Sequence, residues 1–221
     1  MRTYSITITG QTPILFHNDD IDWADRMDAW KTDKDNKTKS KAGDDRTPAF
    51  RWIGSLYHDQ KQLVIPTDNI MRGVMEGGAM VLIPGAKNNK TFKAPSQSGI
   101  MPRDIGWPLL VGGRTVPFKP IAELMAEKDF EVHKQRVLDL GGRLFVKRVV
   151  IGTSKHIRVR PCFDQWSTEG QLIVTDDRIT TAALADIFEQ MGRFKGLCDW
   201  RPSSKTPGSY GMFTAEVRQV A

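Results

Sequence analysis

Residues 143–163 read RLFVKRVVIGTSKHIRVRPCF, two apolar and basic runs separated by Gly152-Thr153-Ser154. Both runs read as strands and the break as the turn between them. In an extended chain His156, Arg158 and Arg160 share one face while Ile157 and Val159 take the other. One face can then pack while the opposite face holds an anion. Upstream, Ile6 and Ile8 alternate with Ser5, Thr7 and Thr9, the period of a half-buried first strand over 3–9. Downstream, residues 171–175 form another strand and 180–191 a helix, with Ala183, Leu184, Ile187 and Phe188 at helical spacing. Residues 212–220 close the chain as a strand, with Phe213, Ala215 and Val217 on one side.

Between these elements, Asp19, Asp20, Asp22 and Asp25 lead into Trp23, Met27 and Trp30, a short helix with acid at its N-terminal end. Residues 32–47 are polar and carry almost nothing to bury, so a mobile loop is expected. Residues 56–58 and 63–65 flank the polar turn 59–62 as a hairpin. Pro66 then leads into a helix that Thr67 or Asp68 can cap, with Gly73 placed where another backbone comes close. Residues 84–142 are rich in Pro and Gly and read as a long insertion, with a helix over 120–128. The fold class is α+β, and its core order of strand, helix, strand, strand, helix, strand is the ferredoxin-like order. A chain of 221 residues suits one domain, 1–221, with insertions at approximately 17–55 and 84–142.

Lys and Arg outnumber Asp and Glu by 32 to 26, which favours an anionic partner. No apolar run approaches the roughly 18 residues a membrane span needs, so no membrane partner is expected. The opening residues alternate polar and apolar, unlike a signal peptide, and a cytoplasmic location follows. Cys162 and Cys198 are the two thiols, which suits a reducing compartment and excludes a Cys-rich zinc site.

Six basic residues, Arg143, Lys147, Arg148, Lys155, Arg158 and Arg160, lie between 143 and 160 with no Asp or Glu among them. Cations at that density neutralise phosphates and release counterions. A second basic cluster, Lys87, Lys90 and Lys93, surrounds Phe92. The loop 196–211 offers Arg201 and Lys205 to phosphates, and Trp200 and Tyr210 to unpaired bases. It lacks the Gly-Lys-Ser/Thr ending of a phosphate-binding Walker loop. The four histidines, His17, His58, His133 and His156, have no metal-ligand spacing, and no metal or other cofactor is expected. His156 beside Lys155, and His58, are the candidates for general acid–base work if the chain cleaves RNA without metal.

Three segments resemble the CRISPR-associated RAMP superfamily, and in particular its guide-coating backbone subunit. Residues 6–15, ITITGQTPIL, look like its opening strand and turn; residues 64–73 look like its Ile-Pro lead-in to the first helix; residues 208–213, GSYGMF, look like the Gly-containing loop before the last strand. Residues 163–167 and 196–202 also look like segments of uncharacterised prophage proteins. The resemblance implies an RRM-like sheet that binds single-stranded RNA along its backbone and forms a homo-oligomer or filament. It makes Arg72, in the first helix, a phosphate contact; His156, from the strand alternation, and Tyr210, from the 196–211 loop, complete the expected interface. Such subunits mostly bind and do not cleave. The alternatives are a metal-independent endoribonuclease, and a phage protein that binds or anneals single-stranded DNA or builds a virion.

Overall fold

A computed structural model describes residues 1–39 and 43–220, with the backbone alone at Ile151. The described strands are β1 (Arg2–Gly10), β2 (Ile14–Leu15), β3 (Val64–Pro66), β4 (Ile100–Pro102), β5 (Gly106–Val111), β6 (Arg114–Thr115), β7 (Arg143–Ile151), β8 (Ser154–Phe163), β9 (Ser167–Val174) and β10 (Phe213–Gln219). The α-helices are α1 (Ile21–Thr32), α2 (Thr67–Gly78), α3 (Lys93–Gly99), α4 (Lys119–Ala122), α5 (Phe130–Asp139) and α6 (Thr181–Phe194). The fold is mixed α+β with antiparallel sheets, and among the described residues no helix is long and apolar enough to cross a membrane. The chain packs as two units, one of Met1–Ile14, Val64–Val116 and Asp164–Ala221, the other of Leu15–Leu63 and Pro117–Phe163.

In the first unit the sheet order is β10-β1-β9-β5-β3, with β4 also on β9 and β6 on β5. Alternation decides the faces: Tyr4, Ile6 and Ile8 of β1 are fully buried, as are Leu172 and Val174 of β9. Helix α6 forms where residues 180–191 were expected to be helical; Thr180 caps it by accepting the Ala183 amide, and Leu184, Ile187, Phe188 and Met191 bury one face. Helix α2 packs beside α6. The close backbone approach falls at Gly77, where an added Cβ would lie 2.5 Å from the Ile187 carbonyl oxygen; at Gly73, one turn earlier, it would meet the Met191 side chain. Thr67 does not cap α2, because its hydroxyl donates to the Ile105 carbonyl at 2.7 Å. Residues 84–142, expected to be an insertion, supply β4, β5 and β6 to this sheet, with Trp107 and Leu109 of β5 wholly buried.

Gly77→Ala sets two effects against each other. Ala is favoured over Gly in a helix by about 1 kcal/mol. Forcing a methyl against a backbone oxygen costs about 1–3 kcal/mol or more, since no flexible side-chain end can yield. We expect a net loss, read as a lower urea midpoint with an unchanged slope; a raised midpoint would show that α2 and α6 separate at no cost.

In the second unit, β8 lies between β7 and β2. β7 and β8 form a long hairpin whose two-residue turn places Gly152 at φ 60°, a left-handed conformation that glycine adopts without strain. The Phe16 amide donates to the Pro161 carbonyl, and on the same side of β8 residues 43–45 run parallel to it through Ile157 N–H to Gly43 O and Asp45 N–H to Ile157 O. Helix α1 forms as expected, capped by Asp20 on the Trp23 amide, but buries only Met27. The loop expected at 32–47 includes residues 40–42, outside the described residues, and its far end is anchored: Asp44 and Asp45 are both buried. The hairpin expected at 56–65 reduces to a turn closed by Asp59 N–H on Gln62 O and a single bridge between His58 and Leu63, while Val64–Pro66 pairs with β5.

Candidate nucleic-acid interface

The β7–β8 register assembles the basic residues. Phe145 lies opposite Arg160, Lys147 opposite Arg158, and Val149 opposite His156. Cross-strand partners share a face, so Arg143, Phe145, Lys147, His156, Arg158 and Arg160 all project to one side. Arg148 and Lys155 project to the other, with the exposed Val146 and Val150. The Arg143 guanidinium stands 5.5 Å from the centre of the Phe145 ring, a cation–π contact.

Like charges opposite one another destabilise a ladder, and Lys147 opposite Arg158 is such a pair. Asp45 answers it. Its carboxylate, with the side chain 5% exposed, meets Arg158 at 3.0 Å, Arg51 at 3.3 Å and Arg160 at 3.6 Å. Arg160 Nη2 also lies 3.0 Å from the His17 Nε2, to which the guanidinium can only donate. Arg158 and Arg160 are therefore not freely held out for phosphates as expected. They are structural members of a guanidinium cluster around one buried carboxylate. The face as a whole is half-buried. A cavity of about 230 Å³ opens beside the cluster, lined also by Asp19, Asp20 and Asp28 of the α1 region. Asp28 is held below the ordinary carboxylate range, first by its hydrogen bond from Lys31 and also by the field of Arg51.

The remaining candidates lie in the first unit. Arg201 turns inward, 3.4 Å from the Gly196 carbonyl and 3.5 Å from Glu76, with its side chain 12% exposed. Arg72 pairs with the same Glu76 at 3.0 Å. Both are thus engaged by one carboxylate, which the expectation of phosphate contacts did not include. Tyr210 stacks on Trp200, ring centres 5.4 Å apart, so these two aromatics serve each other as platforms. Lys205 is exposed on the same loop. Lys87, Lys90 and Lys93 are exposed, while Phe92 between them is buried as an anchor.

His58 stacks on Phe118 with ring centres 3.6 Å apart, its Nδ1 accepts the Gln60 amide, and burial pushes its pKa down. His156 packs against Gly43, where a Cβ would stand 2.5 Å from its Nδ1. Both candidate acid–base groups thus have structural engagements. His133, fully buried, accepts the Trp52 indole N–H on Nδ1 at 3.0 Å and donates from Nε2 to the Glu127 carbonyl at 3.2 Å.

Burial lowers the His133 pKa from its ordinary value of 6.5, against smaller opposing contributions from Glu127 and Asp129. The unfolded chain then binds the proton more tightly than the folded one. The stabilisation is complete above pH 6.5 and is lost as pH falls through the folded value. His58 shifts in the same direction. We expect the thermal midpoint to drop between pH 7 and pH 5 and the drop to shrink in His133→Gln; an equal drop in that variant would assign the acid sensitivity elsewhere.

The sequence signal for the cluster was half present. Alternation marked His156, Arg158 and Arg160, but nothing local announced Asp45, 113 residues from Arg158. Arg51 sits in a 3-10 turn (Ala49–Ser55) that carries no basic run. No protein-family model matches this sequence, and no curated protein matches it.

Proposed function

We propose that the chain binds single-stranded nucleic acid, RNA in preference to DNA, through the Phe145 face of the β7–β8 hairpin. The observation that carries this is the register, which gathers Arg143, Lys147, Arg158 and Arg160 around one aromatic ring on one face. Cations supply salt-sensitive attraction to phosphates, and an aromatic face stacks an unpaired base of any sequence. Asp45 orients Arg158 and Arg160, and we assign the first phosphate contacts to Arg143 and Lys147, which flank Phe145 on the same face of β7.

The frame that supports a RAMP-like, RRM-like subunit is the first unit. Its strands β1, β5, β9 and β10, numbered one to four in chain order, lie in the order four, one, three, two, all antiparallel. Helix α2 falls between the first and second, and α6 between the third and fourth. That order supports reading the first unit as ferredoxin-like, with the two segments of the second unit as elaborations of it. Assembly along the strand as a homo-oligomer or filament is part of the same proposal, as is a cytoplasmic location.

The direct test is gel retention of a labelled single-stranded RNA, with unlabelled single-stranded DNA as competitor. We expect retention that weakens steeply with salt and resists DNA competition. Equal competition by DNA would move the proposal to single-stranded DNA, and no retention at the lowest salt would end it.

A further inference from the structure

A second cavity of the second unit, about 430 Å³, shares no lining residue with the one beside the arginine cluster and has a different character. Its walls include Trp30 of α1, Pro48, Phe50 and Met125, and its rim carries Arg46 and Lys128. Its volume falls within the range of small-ligand sites, about 300–1,000 Å³, and its lining divides evenly between apolar residues and polar or charged ones. Two half-buried aromatic rings, Trp30 and Phe50, line it together with the cations, and Phe50 is braced by a T-shaped contact with Trp23, ring centres 6.2 Å apart.

The charges at this cavity favour an anion. Arg46 is held by Asp44 through Nε and Nη2, at 2.9 and 2.7 Å, a fork that fixes the guanidinium and turns its Nη1 edge away from that carboxylate. The lining carboxylate is Glu127, whose Oε1 is occupied by the amides of Lys128 and Asp129 at 2.7 and 2.8 Å. The cavity beside Asp45 sets four carboxylates, Asp19, Asp20, Asp28 and Asp45, against Lys31, Arg51, Arg158 and Arg160, so its charges balance. The two places are also linked by sequence. Phe50 and Arg51 are neighbours in one 3-10 turn, and Phe50 lines the cavity while Arg51 reaches Asp45 of the hairpin cluster.

We propose that this cavity is a nucleotide site, taking one unstacked base between Trp30 and Phe50 with its phosphate at Arg46 and Lys128. The site deepens the nucleic-acid reading, on which its natural occupant rests: a strand lying on the hairpin face would turn a base into it. A ligand carrying both a flat π-system and an anion uses both halves of the cavity.

Saturation-transfer NMR on the full chain with AMP as the probe tests the assignment. Transfer should be strongest at the base protons and fall at least about fivefold in Phe50→Leu and in Lys128→Glu, with thermal midpoints recorded to confirm folding. It should persist in Arg143→Glu with Lys147→Glu, which disables the hairpin face alone. No transfer from AMP while wild-type chain retains RNA overturns the cavity site and leaves the hairpin standing. Transfer confined to the ribose, or full displacement by inorganic phosphate at equal concentration, overturns the base contact and reduces the site to an anion contact. AMP binding without RNA retention overturns the hairpin and leaves the cavity.

Discussion

Arg143→Glu combined with Lys147→Glu is expected to weaken retention of single-stranded RNA by about 100-fold or more. Each hydrogen bond to a charged group is worth about 1.5–3 kcal/mol, and reversal adds repulsion to the loss. The slope of log affinity against log salt should also flatten, by about 0.7 for each phosphate contact removed. Arg148→Glu with Lys155→Glu, on the opposite face, has the same charge change and should cost only a few-fold through the long-range field. Matched losses from the two pairs would mean that net charge binds RNA and the register is irrelevant. A loss confined to the Arg148 and Lys155 pair would place the strand on the face with Val146 and Val150. Arg158 and Arg160 are poor choices for this comparison, because reversing them puts carboxylates against Asp45.

Asp45→Ala is expected to be the most damaging single substitution in the second unit. It deprives three guanidiniums of their shared partner, and Arg158 loses its 3.0 Å contact while Lys147 remains opposite it. Removing one member of a buried ion pair costs about 3–5 kcal/mol. That is an upper bound here, because the side chains of Arg51, Arg158 and Arg160 are 28%, 31% and 16% exposed and Arg160 keeps its Val159 and His17 contacts. In a unit of about a hundred residues each kcal/mol lowers the midpoint by about 4–8 °C, so a fall beyond about 10 °C is expected. A change of a degree or two, followed by circular dichroism, would show the cluster to be solvated and dispensable. Replacing Arg46, whose partner is Asp44 and whose side chain is 46% exposed, should cost about 1 kcal/mol or less.

Local pattern carried much of the first unit. The alternation over 3–9 is β1 and the helical spacing of Leu184, Ile187 and Phe188 is α6; in the second unit the Gly152 break is the hairpin turn. β5 was hidden because GWPLLV sits in a Pro- and Gly-rich stretch and Pro108 has no backbone donor, features that argue against a strand. It is a strand because Trp107 and Leu109 fill the core and β9 and β3 lie ready to pair.

The candidate site divides in the same way. Period two put His156, Arg158 and Arg160 on one face, but only the register between β7 and β8 adds Arg143 and Lys147 and sends Arg148 and Lys155 to the other. Charge counting treated all six cations alike. It could not foresee Asp45 reaching across from the end of a polar loop, Glu76 engaging both Arg72 and Arg201, or Trp200 and Tyr210 stacking on each other. Each depends on contacts between residues distant in the chain, to which spacing is blind.

Co-purification tests the central claim most directly: isolate the full chain in low salt, read the 260 to 280 nm absorbance ratio, and digest the bound material separately with ribonuclease and deoxyribonuclease. The account expects a ratio well above that of protein alone, abolished by ribonuclease or by high salt, and reduced in Arg143→Glu with Lys147→Glu. A protein-like ratio at every salt concentration, with no retention of added single-stranded RNA, would contradict it.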